Sequence, residues 1–213
     1  MRLKHVKGAK EIIEQGIYFL DEPALYFGKW KDVFQNDHPI YIEIGMGKGD
    51  FIIENALRYP DINFVGIEKF DSVLVRAIQK SNELSLPNLR LLRMDANLID
   101  TIFSHEVSLI YLNFSDPWPK DRHAKRRLTS PLFLKKYDSI FASDAHIVMK
   151  TDNDDLFLYS ISSLEEDGYQ IIQMTRDLYQ EDCSLNIPTE YEKKFVKLGV
   201  KINRLEAVKI IQK

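Results

Sequence analysis

Short apolar runs alternate with amphipathic ones along most of this chain, and that alternation limits its fold more than any other feature. Residues 40–44, 63–67, 89–94, 109–114 and 145–150 read as strands. Between and after them, residues 50–57, a helix capped by Asp71, a helix opened by Ser130-Pro131 and reaching about residue 142, and residues 152–166 read as helices. The second of these carries the stripe Leu74, Ala77, Ile78 and Ser81 at helical spacing. Parallel strands need a crossover between them, and a helix is the usual one. The pattern therefore implies an α/β fold, a doubly wound and mostly parallel sheet with helices on both faces. Toward the end, residues 169–175 and 207–212 are strand-like, with a polar loop and a helix starting near Thr189 between them. Ahead of the alternation, residues 1–38 read as a basic arm, a helix over 9–15 and a loop marked by Pro23 and Pro39, which sets residues 39–213 apart as the main domain.

Several function classes are excluded early. No window holds the roughly 18 apolar residues of a membrane span, and the basic N-terminus lacks the apolar stretch of a signal peptide. The lone Cys183 allows no internal disulfide, and the five histidines show no i, i+4 ligand pair, so neither a structural metal nor an oxidising compartment is expected; the reading is cytoplasmic. The net charge is −3, so a polyanionic partner must be held by a local cluster of cations.

Doubly wound sheets bind ligands beyond the carboxyl ends of their strands. There the chain places Glu43-Ile44-Gly45-Met46-Gly47-Lys48-Gly49, then Glu68, Asp95 and Asp116 on three later strand ends. Glycines allow a tight turn and close approach of a ligand, and Glu68 follows at the roughly 20-residue distance where an acid holds ribose hydroxyls. The loop does not meet the dinucleotide fingerprint, because Asp50 takes its third glycine position. Glu43 and Asp50 would repel a pyrophosphate and welcome a cationic sulfonium and ammonium, which favours S-adenosylmethionine over NAD. Singly, each acid could equally be a helix cap and each glycine a plain turn.

The fourth strand runs into Asn113-Phe114-Ser115-Asp116-Pro117-Trp118-Pro119-Lys120. Two prolines around an indole suggest a stiff, extended loop able to hold an acid and an aromatic face beside a nucleobase. From Lys120 to Arg127, five cations and one acid lie in eight residues. Such a run is either a solvated face or a docking surface for phosphates.

The motifs Glu43-Ile-Gly-Met-Gly-Lys-Gly49, Tyr111-Leu-Asn-Phe-Ser-Asp-Pro-Trp-Pro-Lys120, Arg122-His-Ala-Lys-Arg-Arg127, Lys150-Thr-Asp-Asn153 and Thr189-Glu-Tyr-Glu192 resemble those of the bacterial tRNA (guanine-N7-)-methyltransferases, from about residue 40 to the end. The resemblance implies a class I methyltransferase fold, a seven-stranded sheet with its last strand antiparallel. It implies an enzyme that uses S-adenosylmethionine to methylate N7 of the variable-loop guanosine (position 46) of tRNA. By motif, Glu43, Gly45, Gly47, Glu68, Asp95, Asn97 and Asp116 would contact the cofactor, and Asp116 would be catalytic. Lys120, Asp152, Thr189, Tyr191 and Glu192 would bind the substrate, and Arg122, His123, Lys125, Arg126 and Arg127 would contact RNA. No metal is implied, and the chain is expected to act as a monomer or homodimer. The residues alone still admit an exocyclic-amine methyltransferase, an NAD-linked oxidoreductase, or an RNA-binding module with a dead site.

Overall fold

A computed structural model describes residues 6–181 and 183–210. The arm residues 1–5, and residues 211 and 212 of the last expected strand, lie outside that range. In chain order the strands are β1 (Phe19–Leu20), β2 (Ile40–Ile44), β3 (Asn63–Glu68), β4 (Leu89–Arg93), β5 (Val107–Asn113), β6 (Ala145–Thr151), β7 (Gln170–Thr175) and β8 (Asn203–Lys209). They form one sheet in the order β1-β4-β3-β2-β5-β6-β8-β7. The first six are parallel, and β8 runs antiparallel between β6 and β7. The chain reverses its winding direction at β2, which lies between β3 and β5, and this opens a crevice at the carboxyl ends of those strands. Eight strands stand where seven were expected. The extra one, β1, is a two-residue edge pairing Phe19 and Leu20 with Leu91 and Leu92, too short to show any alternation in sequence.

The helices are α1 (Ala9–Glu14), α2 (Trp30–Phe34), α3 (Asp50–Arg58), α4 (Asp71–Ser81), α5 (Pro131–Asp138), α6 (Asp154–Glu166) and α7 (Glu190–Val196). Alternating strand residues feed two cores. Phe64, Leu89 and Leu91 join Ile13, Ile52, Leu74 and Ile78 on one face; Val65, Ile67, Leu92 and Ile110 join Trp30, Phe103, Leu134 and Phe157 on the other.

Three helix ends differ from the sequence reading. Asp71 is the first residue of α4, not its cap, and faces Arg93 at 3.5 Å. Helix α5 stops at Asp138, because Ile140 and Ala142 are drawn onto the start of β5 by backbone bonds to Glu106, Val107 and back. Helix α6 is capped by Asn153, whose Oδ1 accepts from the Leu156 N–H at 2.8 Å, which leaves Asp152 outside the helix.

The segment before residue 39 contributes more than an arm and a helix. Trp30 is fully buried, stacks on Phe103 at 4.7 Å and donates its indole N–H to the Ile102 carbonyl at 2.7 Å. Trp30→Phe keeps an aromatic ring there but strands that carbonyl, so an equilibrium urea titration should show a loss of about 1–3 kcal/mol. An unchanged midpoint would mean that this segment is not integral to the main core.

Candidate active site

The four strand-end acids form a graded series across the crevice. Glu43 lies inside β2 with 1% exposure, Glu68 is the last residue of β3, Asp95 lies just past β4, and Asp116 is exposed beyond β5. The turn after β2 projects Gly45 (φ 79°) and Gly47 (φ 58°), and a side chain added at either would meet only open space. Their positive φ needs glycine, and the space around them lets a ligand reach the backbone. Gly47 donates its N–H to Glu68 Oε2 at 3.0 Å, while Glu68 Oε1 accepts from the N–H groups of Lys69 and Phe70. Asp95 accepts from both the backbone and side-chain N–H of Asn97 through Oδ1, and pairs with Lys69 at 2.6 Å through Oδ2. That lysine, with the Asn97 bonds, holds the Asp95 carboxyl below its usual range.

Glu43 is the most perturbed of the four. Asn113 donates to its Oε1 at 2.9 Å, yet Oε2 is buried with no partner among the described residues, as is Asn113 Oδ1. Burial pushes the Glu43 carboxyl up to about 7, opposed by the Asn113 bond and by nearby Lys150. Burial also raises Glu68, against its three backbone donors, and the charge of Asp116 adds to the rise. Asp50, by contrast, is neutralised by Lys80 at 2.6 Å. Asp50 therefore brings little uncompensated charge to the crevice, whereas Glu43 keeps an oxygen without a partner among the described residues.

The loop after β5 is kinked, not simply extended. Phe114 (φ 51°) and Trp118 (φ 43°) both take the left-handed conformation, an expense of about 1–3 kcal/mol each for a residue with a side chain. The surroundings hold them there. Phe114 N–H bonds to the Lys150 carbonyl at 2.8 Å, and Arg127 reaches back with Nε to the Pro117 carbonyl and with its terminal nitrogen to the Trp118 carbonyl, both at 3.0 Å. Arg127 is thus turned inward, its guanidinium 4.2 Å from the Tyr159 ring centre, and does not join the exposed cations. Asp116, between the two strained residues, has no hydrogen bond or ion pair among the described residues. The cationic run folds as a short 3-10 turn over Asp121–Arg126, with Lys120, Arg122, Lys125 and Arg126 exposed. His123 meets the Trp118 ring edge-on at 5.7 Å, and Arg126 lies 4.8 Å over it.

Helix α7 closes the crevice from the other side. Tyr191 packs against Phe114 at 4.9 Å and donates its hydroxyl to Asp152 Oδ2 at 2.9 Å. Burial, then this bond, raises the Tyr191 hydroxyl to about 12, so it remains a neutral donor. Thr189 caps α7 and forms a reciprocal capping box with Glu192. Glu192 does not face the opening. It is fully buried, with Oε1 accepting from Tyr179 and Asn186, and Oε2 from Thr189 N–H and Lys150 Nζ, the last at 2.6 Å. Four donors fill the capacity of a carboxylate.

A family model described as "Putative methyltransferase" matches residues 37–205. Over 209 residues the chain is 50% identical to the tRNA (guanine-N(7)-)-methyltransferase of Lachnoclostridium phytofermentans, covering 97% of this chain and 98% of that one. The chain belongs to the tRNA (guanine-N(7)-)-methyltransferase family. A second member, from Bacillus licheniformis, is 46% identical over 209 residues, 97% of this chain and 98% of its own. Among solved structures, an antibiotic-related methyltransferase superposes with a TM-score of 0.67 at 15% identity, over 92% of this chain and 98% of that one. A 16S rRNA (adenine(1408)-N(1))-methyltransferase from Catenulisporales acidiphilia gives 0.61 at 13% identity, over 91% and 95%. At such identities these two speak for the fold alone, which is that of methyltransferases.

Within this tRNA (guanine-N(7)-)-methyltransferase family member, the sequence reading missed Tyr179 and Asn186, and it gave no role of their own to Asn113 and Lys150, which it had quoted only within motifs. Lys150 is 3% exposed and donates to Asn186 Oδ1, the Ile187 carbonyl and Glu192, so β6 pins the loop that leads into α7. Burial draws its ammonium below the usual range, with Glu192 opposing. A signal was present, since Lys150 ends an apolar run beside four strands that end in acids.

A cavity of about 390 Å³ reaches Lys150 and Thr175, at the ends of β6 and β7. It sits on the sheet face among Tyr41, Tyr111, Phe51, Arg204 and Cys183. No helix among the described residues is long and apolar enough to cross a membrane, and no group of three or more His, Cys, Asp or Glu among them could hold a metal.

Proposed function

We propose that this chain transfers the methyl group of S-adenosylmethionine to N7 of a guanosine in tRNA, at variable-loop position 46, and does so in the cytoplasm. Near-full-length identity of 50% to a tRNA (guanine-N(7)-)-methyltransferase carries this reading. The site chemistry agrees with it. The orphaned, buried Glu43 Oε2 suits an ammonium group, and the open glycine turn accepts a ligand against its backbone. Glu43, Gly45, Gly47, Glu68, Asp95 and Asn97 would hold the cofactor. Bound there, it supplies an electrophilic methyl on a sulfonium sulfur.

Guanine N7 has a lone pair and no proton, so the methylated nitrogen needs no general base. As the N–C bond forms and the S–C bond breaks, positive charge passes to the base. Asp116, exposed and without a partner, accepts from the N–H edge of the guanine and stabilises the new charge. Tyr191, Asp152 and the Thr189 hydroxyl line the base pocket; Glu192 and Arg127 act through others, anchoring α7 and the Asp116 loop. Lys120, Arg122, His123, Lys125 and Arg126 dock the RNA, with phosphates positioning it more than reading it.

Incubating the protein with bulk tRNA and labelled S-adenosylmethionine, then analysing the nucleosides by mass spectrometry, tests the reaction. 7-Methylguanosine mapped to the variable loop is expected; an N2- or N6-methyl product, or none, would overturn it.

Glu43 gives the site a pH dependence with a definite sign. Its folded-state value is raised from 4.5 to about 7, so between those values the folded chain holds a proton that the unfolded chain has released. Stability without cofactor therefore falls as pH rises through that window. A cationic ligand selects the carboxylate, so cofactor binding should tighten as pH rises toward 8. Calorimetric titrations of wild type and Glu43→Gln should show that slope in the first and its loss in the second; parallel slopes would remove Glu43 from cofactor recognition.

A further inference from the structure

Many cations on this surface are matched by acids. Lys48 pairs with Glu190, Arg58 with Glu54, Lys69 with Asp95, Lys80 with Asp50, Lys136 with Asp100, and Lys209 with Asp138 and Asp167. Exposed cations such as Lys29, Arg76 and Lys135 stand singly without a carboxylate partner, whereas two clusters of three or four exposed cations lack one among the described residues. One is Lys120, Arg122, Lys125 and Arg126, already assigned to RNA docking. The other is Lys193, Lys194 and Lys197, on the last turn of α7 and just beyond it, where no role has been assigned. Lys201 nearby does not belong to the group, because Asp177 lies 3.6 Å away.

The two groups are connected to the same point by aromatic rings. Arg126 lies over Trp118, four residues from Phe114, and Phe114 touches Tyr191 at 4.9 Å. On the other side Tyr191 stacks on Phe195 at 4.0 Å, and Lys194 Nζ lies 5.7 Å from the Phe195 ring centre. Asp116 sits in the loop between Phe114 and Trp118. From Tyr191 to Lys197 is six residues, about 9 Å along a helix axis. Lys193 also borders a shallow hollow with Asp50, Glu54, Arg58 and Lys80, but there the two acids are already taken by Lys80 and Arg58.

We propose that Lys193, Lys194 and Lys197 form a second phosphate-binding surface for the RNA substrate, on the opposite side of the base pocket from Lys120–Arg126. An RNA strand that delivers its guanine between Asp116 and Tyr191 must leave the pocket in two directions. The Lys120–Arg126 surface takes one, and the C-terminal end of α7 takes the other. Lysines at a helix C-terminus also complement its dipole without any ligand, so the test must read phosphate neutralisation itself. The inference rests on the tRNA reading above.

The experiment compares wild type with a triple variant, Lys193→Gln, Lys194→Gln and Lys197→Gln, by fluorescence anisotropy with transcribed tRNA over a series of salt concentrations. Lys and Gln have similar helix propensities, and a thermal melt confirms that the variant folds. If the lysines meet phosphates, the slope of log K against log salt falls by about 2–3, and the loss appears in KM for tRNA with cofactor affinity unchanged. The variant Arg122→Gln, Lys125→Gln and Arg126→Gln should flatten the slope too, and joining both sets should sum the changes. A wild-type slope in the α7 variant, while the wild type binds tRNA and makes 7-methylguanosine, overturns this surface and leaves the reaction standing. Failure of the wild type to bind tRNA at all overturns both.

Discussion

Asp116→Asn is expected to lower kcat by about 100-fold or more while cofactor affinity stays within a few-fold of wild type. The side chain keeps its size, so the kinked loop held by Arg127 should be undisturbed. What changes is charge. An amide can still accept from the guanine edge through its oxygen, but it cannot stabilise the positive charge that the base acquires, and its N–H₂ opposes the donors of the base. Steady-state kinetics with tRNA, beside a cofactor titration, separate the two effects. An unchanged kcat would remove Asp116 from the reaction, and an equal loss in cofactor affinity would make it a binding residue instead. Because Asp116 also raises Glu68 through its charge, a small gain in cofactor binding would be consistent with the proposed role.

Glu192→Ala should destabilise the protein by about 3–5 kcal/mol, because it leaves the buried Lys150 ammonium without its counter-ion. It also strands Tyr179 and Asn186 and breaks the α7 capping box. The double variant Glu192→Leu with Lys150→Met removes both charges and should recover a large part of that loss, since apolar replacement of a buried pair is often near neutral. Chemical denaturation of the single and double variants gives the coupling directly. If Glu192 served only as a ligand to the substrate, Glu192→Ala would leave the denaturation midpoint unmoved and raise only KM.

How much of this site could be read from sequence depended on whether a role was carried by chain position or by packing. Strand ends are positions, so Glu43, Glu68, Asp95 and Asp116 could be placed at one crevice by finding four apolar runs and reading what followed them. The winding that puts β2 between β3 and β5 made them neighbours. The cationic run was equally plain. The direction of each side chain was not. Arg122 and Arg127 look alike in a list of residues, yet one is exposed and the other is buried against Pro117, Trp118 and Tyr159. Asp152 and Thr189 both stood at expected helix starts in sequence. The structure makes Thr189 a cap and gives that task to Asn153 in place of Asp152, which frees Asp152 to hold Tyr191.

The sequence by itself determined the alternating architecture, the crevice and the acids that line it, because hydrophobic period and strand termini are local properties of the chain. Its motifs also pointed to the family. Tertiary structure alone decided which charges are spent. Lys80 cancels Asp50, and Lys150 cancels Glu192 across 42 residues of chain. Among the described residues, Glu43 Oε2 is left buried and unpaired, and the lysines of α7 are left exposed and unmatched. Ion pairing and burial depend on groups distant in sequence and adjacent in space, and no local pattern records them.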